Sequence, residues 1–418
     1  MTRCVVVGSG AREHALAHTL AADNEVVVSP GSPGIAAHGI KCVATDPTEL
    51  SGDLFVVGPE QPLVAGLADR LRAQGKTVVG PGAAGARLEG SKAYMKEFLA
   101  SAGVPSARYG AFDNESDALK YLSTLRPPYV VKTDGLAAGK GVLVTNDVDE
   151  AARDLRAKLS GRAFGDAGRT VVLEEGLAGE ECSLHVLCDG DTLHALVAAQ
   201  DFKRIGENDR GANTGGMGAY APMTTMSPSR VDEVMARVVA PTLAELSRRS
   251  IDYRGVLYAG LMVSPHDVNL LEYNVRFGDP ETQVIAPLYG AGLFDLLWRT
   301  GRGELAGATT QARGAAVTVV LAAEGYPANP RLGDRIDGLA ADGQLAAPAP
   351  GVTVFHGATA RARDGGFVTA GGRVLALTAV GEDVADARRR AYHAVGLVNF
   401  DGRVVRGDVA RAAVEGDS

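Results

Sequence analysis

Short β-branched runs alternate with amphipathic stretches through the first hundred residues, predicting strands at 3–7, 26–28, 54–57 and 77–79 and a helix starting at 12. Such alternation builds βαβ units on a parallel sheet. Each of these strands ends in a glycine-containing turn: Gly8-Ser9-Gly10, Pro30-Gly31, Gly58-Pro59-Glu60 and Gly80-Pro81-Gly82. In an open parallel sheet, ligands bind at the strands' carboxyl ends. A helix over 91–101 leads to longer strands at 128–132, 142–144, 171–174, 182–188 and 193–199. Residues 200–222 read as a long polar loop with five glycines, followed by a helix over 229–248 and strands at 255–263 and 268–277. After about residue 310, strands at 315–322, 352–355, 359–363 and 373–380 and a helix over 384–395 predict a small α+β domain.

Composition narrows the class of protein. The 53 glycines in 418 residues are about 13%, against a usual share of roughly 7%. With 46% hydrophobic residues the chain can bury several cores, so the glycine is local punctuation in a folded protein. The length predicts two to four domains at roughly 100–200 residues each. A net charge of −8 argues against a general nucleic-acid partner, which needs a basic face. Cys4, Cys42, Cys182 and Cys188 show no metal-ligand pairing and are too few for a disulfide framework. The only apolar run at the N-terminus, 4–7, is shorter than a signal peptide's core, and no stretch reaches a membrane span of about 18 residues. A soluble, cytoplasmic protein without a membrane partner is expected.

Several segments carry chemistry. Gly8-Ser9-Gly10 invites a dinucleotide reading, but Glu13 occupies the place of the third glycine and Ser29 follows the second strand where an acid is needed. A turn whose amides hold a simple phosphate and a purely structural turn both remain open. In Lys132-Thr133-Asp134-Gly135-Leu136-Ala137-Ala138-Gly139-Lys140-Gly141, one lysine closes a strand and a second sits between glycines. Two cations around a small-residue loop suit a triphosphate. The spacing is not that of a Walker loop. In Asn269 to Thr282, strand periodicity puts Glu272, Asn274 and Arg276 on one face and Leu271, Tyr273, Val275 and Phe277 on the other. A carboxylate and an amide oxygen two residues apart suit Mg²⁺, and the arginine can clamp an anion. A solvated strand face would alternate in the same way. Glu174-Glu175-Gly176-Leu177 with Gly179-Glu180-Glu181 ends an apolar strand and can read an adenine edge and ribose hydroxyls, or form an ordinary surface turn. The 200–218 segment, with Lys203, Arg204 and Arg210 among glycines, fits a loop that closes on an anion. No zinc site and no protein nucleophile are expected.

Taken together, these segments resemble the phosphoribosylamine–glycine ligase family of ATP-grasp enzymes. The resemblance runs through residues 5–16, 57–60, 88–92, 132–142, 213–220, 258–262, 276–283 and 371–375. It implies an N-terminal Rossmann-like parallel sheet (1–98), an ATP-grasp domain (99–308) with a lid subdomain at about 115–182, and a C-terminal α+β domain (309–418). The implied reaction joins glycine to 5-phosphoribosylamine with ATP, through glycyl phosphate, in purine biosynthesis. Another ATP-grasp carboxylate–amine ligase is the alternative, and a non-catalytic nucleotide-binding protein and a dinucleotide oxidoreductase are the further rivals.

The resemblance also implies residue roles. Lys92, Lys132, Gly139 and Lys140 would hold the ATP phosphates, Glu174, Glu175 and Leu177 the adenine end, and Glu181 the ribose. Glu272 and Asn274 would bind Mg²⁺ or Mn²⁺, and Arg276 and Lys140 would be catalytic. Arg276, Asp201, Thr214, Gly215 and Asp279 would contact the substrates, with Gly8, Gly10, Gly58 and Glu60 at the phosphoribosylamine. A monomer or weak homodimer is implied. Phe202, Ala212, Gly176 and the stretch 356–359 depart from the family's usual residues without touching the lysines or the metal pair.

Overall fold

The computed structural model describes residues 1–136, 141–161 and 169–416. Five parallel strands open the chain, in spatial order Lys41–Cys42, Glu25–Pro30, Arg3–Gly8, Leu54–Val57 and Thr77–Val79. Apart from Arg3, the central strands are apolar because helices cover both sheet faces. Strand order reverses at Arg3–Gly8, so Gly8–Gly10 and Gly58–Glu60 flank the crevice at the switch point, where such sheets bind ligands.

Two antiparallel sheets follow. One orders Tyr109–Phe112, Val171–Glu175, Tyr129–Thr133 and Val142–Thr145. Helices Glu115–Leu122 and Val148–Leu159 cover it, with a small core of its own around Leu122, Val131, Leu155 and Leu173. The other orders Leu193–Ala195, Glu180–Asp189, Arg254–Ser264 and Asp267–Asn274. The two sheets enclose a cleft of about 1190 Å³.

The structure revises three expectations. Residues 200–222 are not one loop. Gln200–Asp201 and Gly218–Ala221 join Ala315–Ala322, Arg373–Gly381 and Val352–His356 in a five-stranded sheet, and Arg204–Gly206 pairs with Arg210–Asn213 as a hairpin. That sheet therefore runs across the expected boundary at 308–309. The helix expected over 229–248 is interrupted by a π turn at Met235–Val239, just before Pro241, which has no amide to donate back along the helix. The strand expected to 277 ends at Asn274, and a bulge opposite Gly260 and Leu261 takes Leu271 out of the apolar face. Among the described residues, no helix is long and apolar enough to cross a membrane.

The first helix, Ala11–Leu20, packs on the C-terminal sheet through histidines. His14 Nε2 lies 2.9 Å from His38 Nδ1, and His14 Nδ1 accepts the His356 amide at 3.0 Å. His18 stacks on His38. Burial pushes His18 and His356 down to about 4 from an ordinary 6.5, with neighbouring imidazoles adding to the effect. An unfolded chain therefore binds more protons between pH 6.5 and 4, and stability is lost as pH falls through that window. His18→Gln should remove on the order of 1–2 kcal/mol of this loss at pH 5. Chemical denaturation of both proteins at pH 7.5 and pH 5 checks this; equal acid losses would contradict it.

Candidate active site

The helix Lys92–Ala102 starts at Ser91, whose hydroxyl accepts the Tyr94 amide at 3.1 Å. The Asp134 carboxylate accepts the Ala93 amide at 2.7 Å. These caps place Lys92 on the cleft wall and satisfy the helix's first donors. Beside this helix, Lys132 and Glu174 lie diagonally on neighbouring strands and on the same face. Lys132 Nζ is 2.8 Å from Glu174 Oε1 and donates to the Leu271 carbonyl at 3.3 Å. Burial alone would raise the Glu174 pKa, but Lys132 and Lys96 overcome it and hold the group below the ordinary carboxylate range. The carboxylate of Glu174 is thus shared between the two lysines at the cleft wall. Gly139 and Lys140 lie outside the described residues.

At the end of the strand Val171–Glu175, the Glu175 amide donates to Arg108 O and the Gly176 amide to Pro128 O. Of the three hinge amides, the Leu177 amide alone has no partner among the described residues. A Cβ on Gly176 would stand 2.2 Å from the Pro128 ring, so this chain's glycine is matched to its proline. Glu181 pairs with Lys203 at 2.6 Å.

Arg276 is held on three sides. Its guanidinium lies 2.8 Å from Glu89 Oε1 and 3.3 Å from Glu60 Oε2, and it donates to Asn274 Oδ1 at 3.2 Å. The other Glu89 oxygen accepts the Val275 amide at 2.8 Å. Glu272, its neighbour on the cleft side, accepts no hydrogen bond from the described residues. Burial would raise its pKa, but Lys203, Lys132 and Lys92 keep it lowered.

Asp201 Oδ1 is buried without a hydrogen-bond partner. Burial and the nearby Glu281 carboxylate push the Asp201 pKa well up. Gly216 permits this packing: at φ +109° it brings its backbone where a Cβ would stand 2.6 Å from Asp201 Oδ1. Thr214 is turned inward, its hydroxyl donating to Lys203 O at 2.8 Å, and Gly215 O accepts from Arg373. Asp279 pairs with Arg373 at 3.3 Å. These two residues also line a second cavity of about 480 Å³, together with Gly10, Gly31 and Ser32. The Gly8–Gly10 turn is less open than its sequence predicts. The Gly10 amide donates to Glu13 Oε2 at 2.7 Å, and a Cβ at Gly58 would overlap the same carboxylate. Gly10's own amide is therefore already committed, which corrects its reading as a free phosphate donor.

Three family models cover most of the chain: the N domain of phosphoribosylglycinamide synthetase at residues 2–89, its ATP-grasp (A) domain at 90–282 and its C domain at 316–412. A phosphoribosylamine–glycine ligase of Streptomyces coelicolor is 45% identical over 425 residues, covering 98% of this chain and 99% of the relative. The chain belongs to the phosphoribosylamine–glycine ligase family. A relative of the same name from Synechocystis is 44% identical, covering 99% of this chain and all of its own length. The crystal structure of phosphoribosylamine–glycine ligase from Thermotoga maritima superposes with a TM-score of 0.85 at 35% identity, covering 98% of this chain and 100% of that one. The biotin carboxylase domain of Hydrogenobacter thermophilus 2-oxoglutarate carboxylase, solved with MgADP, reaches 0.70 at 17% identity over 97% of this chain and 92% of that one, which shows a shared fold.

An ATP-grasp ligase of this family needs oxygen ligands for a divalent cation, and the described residues fit that demand. Glu272 and Asn274 present two hard oxygens beside Lys92 and Lys132 on the wall of one cleft. Among the described residues no cluster of three or more His, Cys, Asp or Glu could hold a metal, so such a cation would lean on phosphate oxygens. Sequence reasoning assigned no role to Lys96, Glu89, Glu281 or Arg373, and read Lys203 as part of a loop closing on an anion, without its partner Glu181. Of the first four, only Lys96 left a local signal, one helical turn beyond Lys92.

Removing Arg276 would leave the Glu60 and Glu89 carboxylates uncompensated in the protein. Arg276→Met should cost about 3–5 kcal/mol at pH 8. The carboxylates would then titrate above their unfolded values, so the variant should recover part of that deficit at pH 5. Denaturant unfolding of both proteins at the two pH values measures it; a deficit independent of pH would contradict it.

Proposed function

We propose that this phosphoribosylamine–glycine ligase family member uses phosphoryl transfer from ATP to ligate glycine with 5-phosphoribosylamine, giving glycinamide ribonucleotide, ADP and phosphate. One observation carries the reading. The large cleft with its lysines, Glu272 and Arg276 and the second cavity, at the turns that follow Arg3–Gly8 and Glu25–Pro30, share Asp279 and Arg373 as their common wall. A nucleotide and a sugar phosphate can thus approach one another across two charged side chains.

In this reading the adenine meets the Leu177 amide, and the phosphates lie against Lys92, Lys132 and Lys140. Glu181 takes the ribose, released from or shared with Lys203. A Mg²⁺ or Mn²⁺ on Glu272 and Asn274 would neutralise phosphate charge when bound. Arg276, fixed by Glu60 and Glu89, orients the glycine carboxylate toward the γ-phosphorus. The glycine ammonium settles against Asp201 and Glu281, two carboxylates whose mutual repulsion a cation relieves. Carboxylate attack forms glycyl phosphate and releases ADP, and the amine of phosphoribosylamine then displaces phosphate at the carbonyl. The Ser9–Ala11 and Gly31–Pro33 turns, with Arg373, would enclose the phosphoribosyl end. Most of the rate enhancement then comes from positioning and charge neutralisation, which calls for no nucleophilic side chain.

ADP release should depend on both glycine and phosphoribosylamine generated in situ, and ADP formed at full rate without glycine would refute the assignment. Asp201→Asn should raise the KM for glycine by roughly tenfold or more while changing the KM for ATP little. A change confined to ATP would exclude the ammonium site.

A further inference from the structure

Lys96 is fully buried on the helix Lys92–Ala102. Its ammonium lies 3.0 Å from Glu174 Oε2 and donates to Ser106 Oγ at 2.6 Å, with the Tyr109 ring centroid 5.7 Å away. Ser106 in turn donates to the Leu270 carbonyl at 3.0 Å. The second Glu174 oxygen is the one bonded to Lys132. One buried carboxylate therefore stands between two ammonium groups, of which Lys132 lines the cleft. The three groups sum to one positive charge. Without Lys96 they would sum to zero, with Lys132 neutralised by a carboxylate less than 3 Å away.

We propose that Lys96 is a positioning residue for nucleotide binding, which draws off the charge of Glu174 so that Lys132 keeps a net positive charge for the triphosphate. This rests on the reading of the cleft as an ATP site. A buried lysine would ordinarily be a liability, because its charge is costly to desolvate. Here its second oxygen partner, Ser106, and the shared carboxylate fix it in one geometry. The charge count then gives the costly group a use that reaches the cleft through Glu174.

Equilibrium binding of MgATP tests the idea in wild type, Lys96→Met, and Lys96→Met combined with Glu174→Gln. Wild type binding is the control on the cleft itself: no binding would sink the ATP site rather than the role of Lys96. Given that binding, Lys96→Met should raise the Kd on the order of tenfold. The double variant removes the anion too, restores one net positive charge, and should return the Kd to within about threefold of wild type. A packing role cannot produce that rescue, since the double variant is the more heavily altered protein. An unchanged Kd in Lys96→Met, or a double variant as weak as the single one, would overturn the proposal.

A wild type measurement covers the case in which Lys96→Met does not fold. Burial lowers the Lys96 pKa to about 8, with Lys132 adding to the effect and Glu174 and Glu272 opposing it. Tyr109 faces it from the neighbouring strand, whereas the helices packed on its far side spend their charges elsewhere, Glu89 on Arg276 and Glu245 on Arg248 and Arg249. Loss of the Lys96 proton takes the trio from one positive charge to none. MgATP affinity should therefore fall as pH rises through about 8, and an affinity flat from pH 7 to 9.5 would overturn the proposal.

Discussion

The guanidinium of Arg276 is the point on which the site's geometry depends. Glu60 reaches it from the helix that follows the fourth parallel strand, Glu89 from the helix before the ATP-grasp region, and Asn274 from its own strand. A charged group held by three oxygens from separate elements cannot move unless those elements move with it. The N-terminal sheet and the strand Asp267–Asn274 are thereby locked in register around the cleft. The arginine is held in one orientation, as the proposed contact with an anionic substrate requires, because a supporting carboxylate is itself tied to a backbone amide, Glu89 to Val275.

The same economy governs the remaining charges. An acidic protein that handles a triphosphate, a carboxylate and a sugar phosphate must concentrate cations locally without leaving them uncompensated. Glu174 answers for Lys96 and Lys132, Glu181 for Lys203, and Asp279 for Arg373. Arg373 also gives the C-terminal sheet a direct part in the site, since it grips Gly215 and Asp279 from a strand 158 and 94 residues further along the chain. The sheet that carries it is completed by Gln200–Asp201 and Gly218–Ala221, so central and C-terminal parts of the chain share one hydrogen-bonded surface.

How far the sequence predicts this arrangement depends on whether the determining partner is near in the chain. Apolar runs rich in valine such as 54–57, 77–79 and 315–322, and the patterned helix at 384–395, form as read because local propensity and burial agree. Residues 200–222 fail as a loop because Gly218–Ala221 pairs with 315–322, about a hundred residues on, and gives Gln200–Asp201 an edge to join, while the glycines of the segment carry no apolar pattern. The bulge at Leu271 defeats a strict period of two. Helical spacing puts Lys96 one turn beyond Lys92, but its burial and its part in the site depend on Glu174, a partner that only the fold brings beside it. Likewise the glycines at 8, 10 and 58 resemble a phosphate cradle in sequence, whereas in space they make room for the carboxylate of Glu13.

The central claim is that glycine is activated at its own carboxylate by ATP. Glycine labelled with ¹⁸O at the carboxylate, turned over with ATP and phosphoribosylamine and followed by mass spectrometry of the phosphate, tests it directly. The account predicts one labelled oxygen in each inorganic phosphate released and the other retained in the amide product. Phosphate free of label would show that the carboxylate never reaches the γ-phosphorus, and would contradict the account.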